Sequence, residues 1–182
     1  MSLFIPTLHT ARLILRPLVA TDVPAFAALN ADPDVVRFIS PTGQPLSSED
    51  SWRLLAMFIG HWHLRGFGMF AVAEVKEPEK LIGRIGAHQP DGWPDFEIGW
   101  ALTRESWGHG FATEAVTAAI RYAFEVVKRP RVISLIHPDN ARSRAVAERV
   151  GQRRIGEWTV RRECLDLYAL DRETWAAQNG AR

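Results

Sequence analysis

The stretch TRESWGHGFATEAVTAAIRYAF sets Gly108, His109 and Gly110 directly before a long apolar helix. A glycine-rich entry to a helix is either a tight turn or a cradle for an anion. Three phosphate-binding readings can be compared. A P-loop requires a lysine and a Ser/Thr after its second glycine, and GHGFAT contains no lysine. A dinucleotide fingerprint requires a third glycine, where this chain has Thr113, and an acidic residue at the end of the next strand, where it has His137. The third reading needs only backbone: successive N–H groups from about Trp107 to Thr113, at the positive end of a helix dipole, facing a pyrophosphate. Glycines at 108 and 110 would let such a ligand approach the main chain closely, and His109 and Arg104 could add donors.

These residues are positioned by elements that the hydrophobic pattern predicts. RLILRPL alternates apolar and cationic residues and predicts a strand over about 12–18. ATDVPAFAALN predicts a helix with Asp22 as cap and Pro24 in its first turn. A second helix begins near LSSEDSW, where Ser47 and Asp50 have capping-box spacing. GFGMFAVAEV and KLIGRIGAHQ predict an antiparallel hairpin joined by KEPE. In DFEIGWALT, Phe96, Ile98, Trp100 and Leu102 alternate with Glu97, Gly99 and Ala101, and Gly99 marks a bulge or a close approach. The glycine loop leads into a helix over 111–127, the strand RVISLI, a helix in HPDNARSRAVAERVGQ ended by Gly151, and a closing hairpin of RRIGEWTV with ECLDLYAL. The strands over 95–102 and 132–137, linked through a helix, are expected to be parallel neighbours.

The 182 residues suit one domain over 1–182. A net charge of +1 argues against nucleic acid as a partner. No run of residues has the length and apolarity of a membrane span, and the N-terminus lacks signal-peptide organisation, so the chain is read as cytoplasmic and without a membrane partner. His61 and His63, two apart on a helix, face different directions, and the other histidines lack ligand spacing, so no metal is expected. The lone Cys164 has no base motif beside it and reads as a small buried hydrophobe. Trp93, in the polar loop QPDGWPDF, is either a wall of a binding site or a loop residue packed at the surface.

Taken in order, TARLILRP, EIGWAL, ESWGHGFATEA, AFEVVKRPRV, HPDNARS and AERVGQ cover most of the chain. In these motifs the sequence resembles the GNAT superfamily of acetyl-CoA-dependent N-acetyltransferases, most closely its ribosomal-protein N-terminal acetyltransferase (RimJ/RimL-like) branch. Two departures stand out: Glu105 occupies a loop position where the superfamily usually has Gln or Arg, and Gln152 follows Gly151 where phenylalanine is typical.

The resemblance implies an α/β fold: a mixed, mostly antiparallel sheet flanked by helices, whose splayed central parallel strands form the acetyl-CoA cleft. It implies that the backbone of Trp100, Ala101 and Leu102 holds the pantetheine arm. Trp107, Gly108, His109, Gly110, Phe111, Ala112 and Thr113 would hold the pyrophosphate, with Asn140 on the opposite side. The implied reaction is direct attack of a neutral amine on the thioester in a ternary complex. An α-amine, with a reference pKa of about 7.7 to 8, needs less help to lose its proton than a lysine at about 10.4. On the same footing Glu97 is the candidate base, with a surface carboxylate or salt-bridge partner as the alternative role. Ser143 is the candidate acid for the leaving thiolate and a further cofactor contact; it could equally bond backbone at the helix start. Tyr168 is a weaker alternative acid. A backbone N–H of the bulged strand would serve the carbonyl oxygen.

The implied acceptor is a primary amine, on a protein or peptide N-terminus or on a small molecule. Asp91 and Asp95 beside His88 suggest a cationic one. The competing readings are a CoA-binding regulatory protein without turnover and, third, a nucleotide-binding enzyme. Apolar strand edges or the terminal hairpin would support a homodimer.

Overall fold

The computed structural model describes residues 5–40, 42–160 and 162–179. Pro41, inside the turn-rich stretch SPTGQP, and the first four residues of the expected leaderless N-terminus lie outside them. Eight strands form one sheet: β1 (Leu8–His9), β2 (Leu13–Arg16), β3 (Met69–Glu74), β4 (Glu77–His88), β5 (Glu97–Leu102), β6 (Arg131–Ile136), β7 (Arg153–Val160) and β8 (Glu163–Asp171). Their spatial order is β1-β2-β3-β4-β5-β6-β8-β7. Every pairing is antiparallel except β5 with β6. The helices are α1 (Val23–Ala31), α2 (Pro33–Val36), α3 (Ser48–Arg65), α4 (Phe111–Glu125), α5 (Ala141–Arg149) and α6 (Arg172–Asn179). The fold is therefore the mixed, mostly antiparallel α/β sheet that the sequence leads one to expect.

Each face of the sheet has its own core. On one, α4 buries Ala115, Val116, Ala119, Ile120, Ala123 and Phe124 against Leu13, Leu15, Val72, Ile85 and Ile98. On the other, α1 and α3 set Phe26, Leu55 and Phe58 over Met69, Ala71 and Leu81. Ser47 starts α3 as the spacing predicts, accepting the Asp50 N–H at 3.0 Å. Gly66 ends it at φ 75°, a conformation that glycine adopts without strain.

Several local expectations are corrected. Asp22 precedes α1 but makes no cap; buried, it grips Arg16 with two bonds of 2.8 Å and so ties β2 to the helix. The same carboxylate accepts the Val19 N–H at 2.9 Å, so its oxygens are turned back to the preceding turn and the guanidinium fork and not to the first turn of α1. KEPE is mostly strand, since β4 already begins at Glu77. Helix α4 ends at Glu125, two residues early. Strand β1 and helices α2 and α6 were not expected, being too short or too weakly patterned to read. Cys164 is exposed, not buried.

Candidate active site

The site grows from the two edges of β5. Toward β4 the register is unbroken, from Gly83 opposite Leu102 to His88 opposite Glu97. The bulge expected at Gly99 is absent; a Cβ there would come 3.2 Å from Met69 Cε, so the close approach is made by a side chain. Toward β6 the ladder holds one pair, Glu97 with Ile133, and then opens. Side chains take over where backbone pairing stops. Ser134 Oγ donates to the Ile98 carbonyl at 2.8 Å, and the Leu135 N–H donates to Glu97 Oε1 at 3.3 Å. The parallel strands thus splay, with Glu97 at the apex.

Backbone groups of alternate residues face opposite edges of a strand. The carbonyls of Phe96 and Ile98 point toward β6, accepting from Ile133 N and Ser134 Oγ, whereas the Thr103 N–H bonds Ile82 toward β4. Trp100 and Leu102 therefore present their main-chain groups to the open edge, and Ala101 presents its own to β4. The Leu102 carbonyl is taken by the Trp107 indole at 2.9 Å. Both groups of Trp100 and the N–H of Leu102 are left on the cleft.

At the wide end of the splay lies the glycine loop. Gly108 and Gly110 have φ of 80° and 78°, and Gly110 directly precedes α4. The Trp107 N–H is used by the Arg104 carbonyl at 3.0 Å, so the run of unpaired donors starts one residue later than its sequence suggests. None of the N–H groups of residues 108–113 finds an acceptor among the described residues. Arg12 braces the loop: its guanidinium pairs with Glu114 and donates to the His109 carbonyl at 2.9 Å. Arg104, suggested as a donor to the ligand, is instead engaged by Asp32 and Asp34. His109 stacks on Phe111. Across the opening, Asn140 caps α5 by accepting the Ser143 N–H at 3.1 Å, and both residues line the cavity. This run of free donors, next to an unpaired strand edge, fits a pyrophosphate followed by an amide-bearing arm.

The cavity, about 600 Å³, continues through the splay to the α3 side of the sheet. There Trp93 is a wall, and its indole N–H donates to Glu97 Oε2 at 2.6 Å. Burial pushes the Glu97 carboxyl up to about 7, against the opposing pull of Trp93, the Leu135 N–H and the nearby charge of Arg84. A carboxyl held there can exchange a proton near neutrality. Tyr168 is buried in the sheet beside Ile136 and Ala147, and its hydroxyl accepts from Arg144 at 3.2 Å. The Cys164 thiol donates to Glu157, and that bond with the charge of Glu157 pushes its pKa up; it lies outside the cavity. Asp91 does not line the cavity and pairs with Arg65 on the outer surface. His61 is held by the Phe67 carbonyl and the Gln89 N–H, and no cluster of metal-ligating residues occurs among the described residues.

Arg84 was missed. Within GRIGAH it reads as an ordinary solvated strand cation, yet it is 8% exposed, under the ring of Phe58 at 5.0 Å, and it lines the cavity.

Comparison with known proteins places this geometry in context. The family described as "Acetyltransferase (GNAT) domain" matches residues 12–153. A Bacillus licheniformis protein named "Uncharacterized N-acetyltransferase p20" is 32% identical over 138 residues, 75% of this chain and 76% of its own. The crystal structure of an acetyltransferase from Agrobacterium tumefaciens is 33% identical, covers 93% of this chain and 96% of its own, and superposes with a TM-score of 0.80. A ribosomal L7/L12 α-N-protein acetyltransferase, RimL, solved in complex with coenzyme A, shares the fold at 19% identity, with a TM-score of 0.73 over 91% of this chain and 97% of its own.

Proposed function

The chain belongs to the GNAT acetyltransferase family and is an acyltransferase, and on that premise we propose that it transfers acetyl from acetyl-CoA to a primary amine by direct attack in a ternary complex. The observation that carries this reading is the open edge of β5, with unpaired donors of residues 108–113 at its wide end and Glu97 at its apex.

Acetyl-CoA supplies an activated acetyl group as its thioester. The N–H groups from Gly108 to Thr113 receive the pyrophosphate, helped by the positive end of α4. Phe111 and Ala112 supply the first-turn donors, and Trp107 and His109 shape the loop, the first through its indole bond to Leu102 and the second by stacking on Phe111. Trp100 and Leu102 offer backbone groups to the arm; Ala101 contributes packing only, its main chain being turned toward β4. Asn140 fixes the opposite wall by capping α5.

The amine enters from the α3 side. Its nitrogen bonds the carbonyl carbon, the carbon–sulfur bond breaks, and the nitrogen's proton passes to Glu97. Glu97 is suited to this because burial has moved its pKa to where it is partly ionised at neutral pH. Ser143, half-buried in the first turn of α5, stands on the cavity as donor to the departing thiolate. RimL acts, by its name, on a protein α-amine; the acceptor here is a peptide α-amine or a small molecule of similar basicity.

Calorimetric titration with acetyl-CoA, with NAD and ATP as controls, followed by a thiol-release screen over amines, tests the reading. Saturable binding of acetyl-CoA alone, with release of free CoA, is expected. Binding without release across the panel would make the chain a CoA-binding regulatory protein. No binding would remove the cleft assignment.

A further inference from the structure

Two arginines carry a buried Nε without a hydrogen-bond partner among the described residues, the buried Arg84 and the half-buried Arg129. Their surroundings differ. Arg129 is packed between Phe67 and Phe96, at 5.0 and 4.9 Å, and reaches Gln89. Arg84 has a ring on one side only, Phe58, and its other side is the cavity. It stands on β4 with the cross-strand pairs Arg84–Ala101, Gly86–Gly99 and His88–Glu97 in succession. The glycine pair contributes no side chain of its own between Arg84 and Glu97, and the space over Gly99 is shared by the Met69 methyl. Burial draws the guanidinium down to about 10, so it remains a full cation at neutral pH, and its charge is near enough to act on Glu97.

A buried cation without a carboxylate in contact is costly, and a chain tolerates it where a ligand supplies the missing anion. The other acids on the cavity do not fill that role. Asp50 is held by Ser47 and Arg53, and Glu163 lies at the exposed rim. The wall around the opening is apolar or aromatic: Phe38, Ile39, Leu54, Met57 and Trp93. Asp91 and Asp95 do not line the cavity, so the expectation of a cationic acceptor loses the residues it was drawn from.

We propose that Arg84 receives the carboxylate of the acceptor, and that the acceptor is a free α-amino acid with an apolar or aromatic side chain. The inference rests on the acetyl-transfer reading. In such a molecule amine and carboxylate are carried on one carbon, so a base and a cation that line the same cavity can take one group each. The amine meets Glu97, the carboxylate meets the guanidinium fork, and the side chain lies against Phe38, Leu54, Met57 and Trp93. The products are the N-acetyl amino acid and CoA thiol, with the amine proton passing through Glu97. A protein N-terminus has an amide where this acceptor has its carboxylate; its carbonyl could accept a hydrogen bond from Arg84 but would leave the buried charge without a counter-charge.

The test is binding of reaction products, which needs no turnover. The protein with CoA is titrated with the N-acetyl derivatives of leucine, methionine, phenylalanine and tryptophan, each beside its carboxamide. At least one acid should bind tenfold or more tighter than its amide, and Arg84→Met should erase that preference while leaving acetyl-CoA affinity unchanged. Equal binding of acid and amide throughout the series overturns the proposal, as does a preference that survives in Arg84→Met. The comparison within the parent protein requires no variant to fold. Thiol release with the free amino acids is measured separately: carboxylate-selective binding without release would sink the transferase reading alone.

Discussion

The two flanks of β5 are built on opposite terms. Against β4 the backbone is paired residue by residue, and the approach is so close that a Cβ at Gly83 would lie 2.4 Å from the Ala101 carbonyl oxygen. Against β6 one pair forms, and two side chains, Ser134 and Glu97, hold the strands at the apex of a gap. A sheet gains stability where main-chain groups satisfy each other, and gains a binding edge where they do not. The first flank should answer mutation with loss of fold, and the second with loss of activity.

The largest effect is expected at the apex. Glu97→Gln should lower turnover by about 10²- to 10⁴-fold, the usual contribution of a positioned base, with acetyl-CoA affinity nearly intact. Since a base acts only when deprotonated, the parent's kcat/KM should rise with pH through about 7, and that limb should vanish in the variant. A thiol-release assay across pH reads both; an unchanged profile would remove Glu97 as base.

Next comes the paired flank. Gly83→Ala should cost about 1–3 kcal/mol, the range for forcing atoms into a packed position, seen as a lower unfolding midpoint. The KM for acetyl-CoA of the folded protein should stay that of the parent. A large KM change with no loss of stability would invert the comparison.

At the loop, Gly110→Val forces a β-branched residue to φ near 78°, a strain of about 1–2 kcal/mol. The expected readout is acetyl-CoA affinity weaker by about tenfold, since each 1.4 kcal/mol is a factor of ten. Unchanged calorimetric affinity in a folded protein would detach the loop from the cofactor. Smallest is Ser134→Ala, which removes the donor to Ile98 and should lower stability by about 1 kcal/mol, the net worth of a typical hydrogen bond. No change in denaturant midpoint would mean that the hydroxyl does not hold the apex together.

Much of this was legible in order along the chain. The capping pair Ser47 and Asp50, the alternation in EIGWAL and the glycines at 108 and 110 are short-range signals, each acting within one turn or one strand. Other features resisted reading because they depend on how a loop turns or a side chain packs, even where the partner is only a few residues away. Asp22 looks like a cap until Arg16 is folded beside it. Gln152, in the place of phenylalanine, is fully buried with both amide atoms unpaired among the described residues, for which the structure offers no compensating contact. Trp93 could be weighed only as wall or surface until its loop brought the indole onto Glu97.

The sequence alone determined the family, the order of the main elements and the glycine loop ahead of α4, because local pattern and spacing carry that information. Which flank of β5 stays closed and which opens was decided only in three dimensions. So was the state of Arg84, a surface-type residue by sequence, whose burial arises when α3 lays Phe58 over β4. Charge, burial and proton affinity depend on what the fold brings within a few ångströms, and no spacing along the chain encodes that distance.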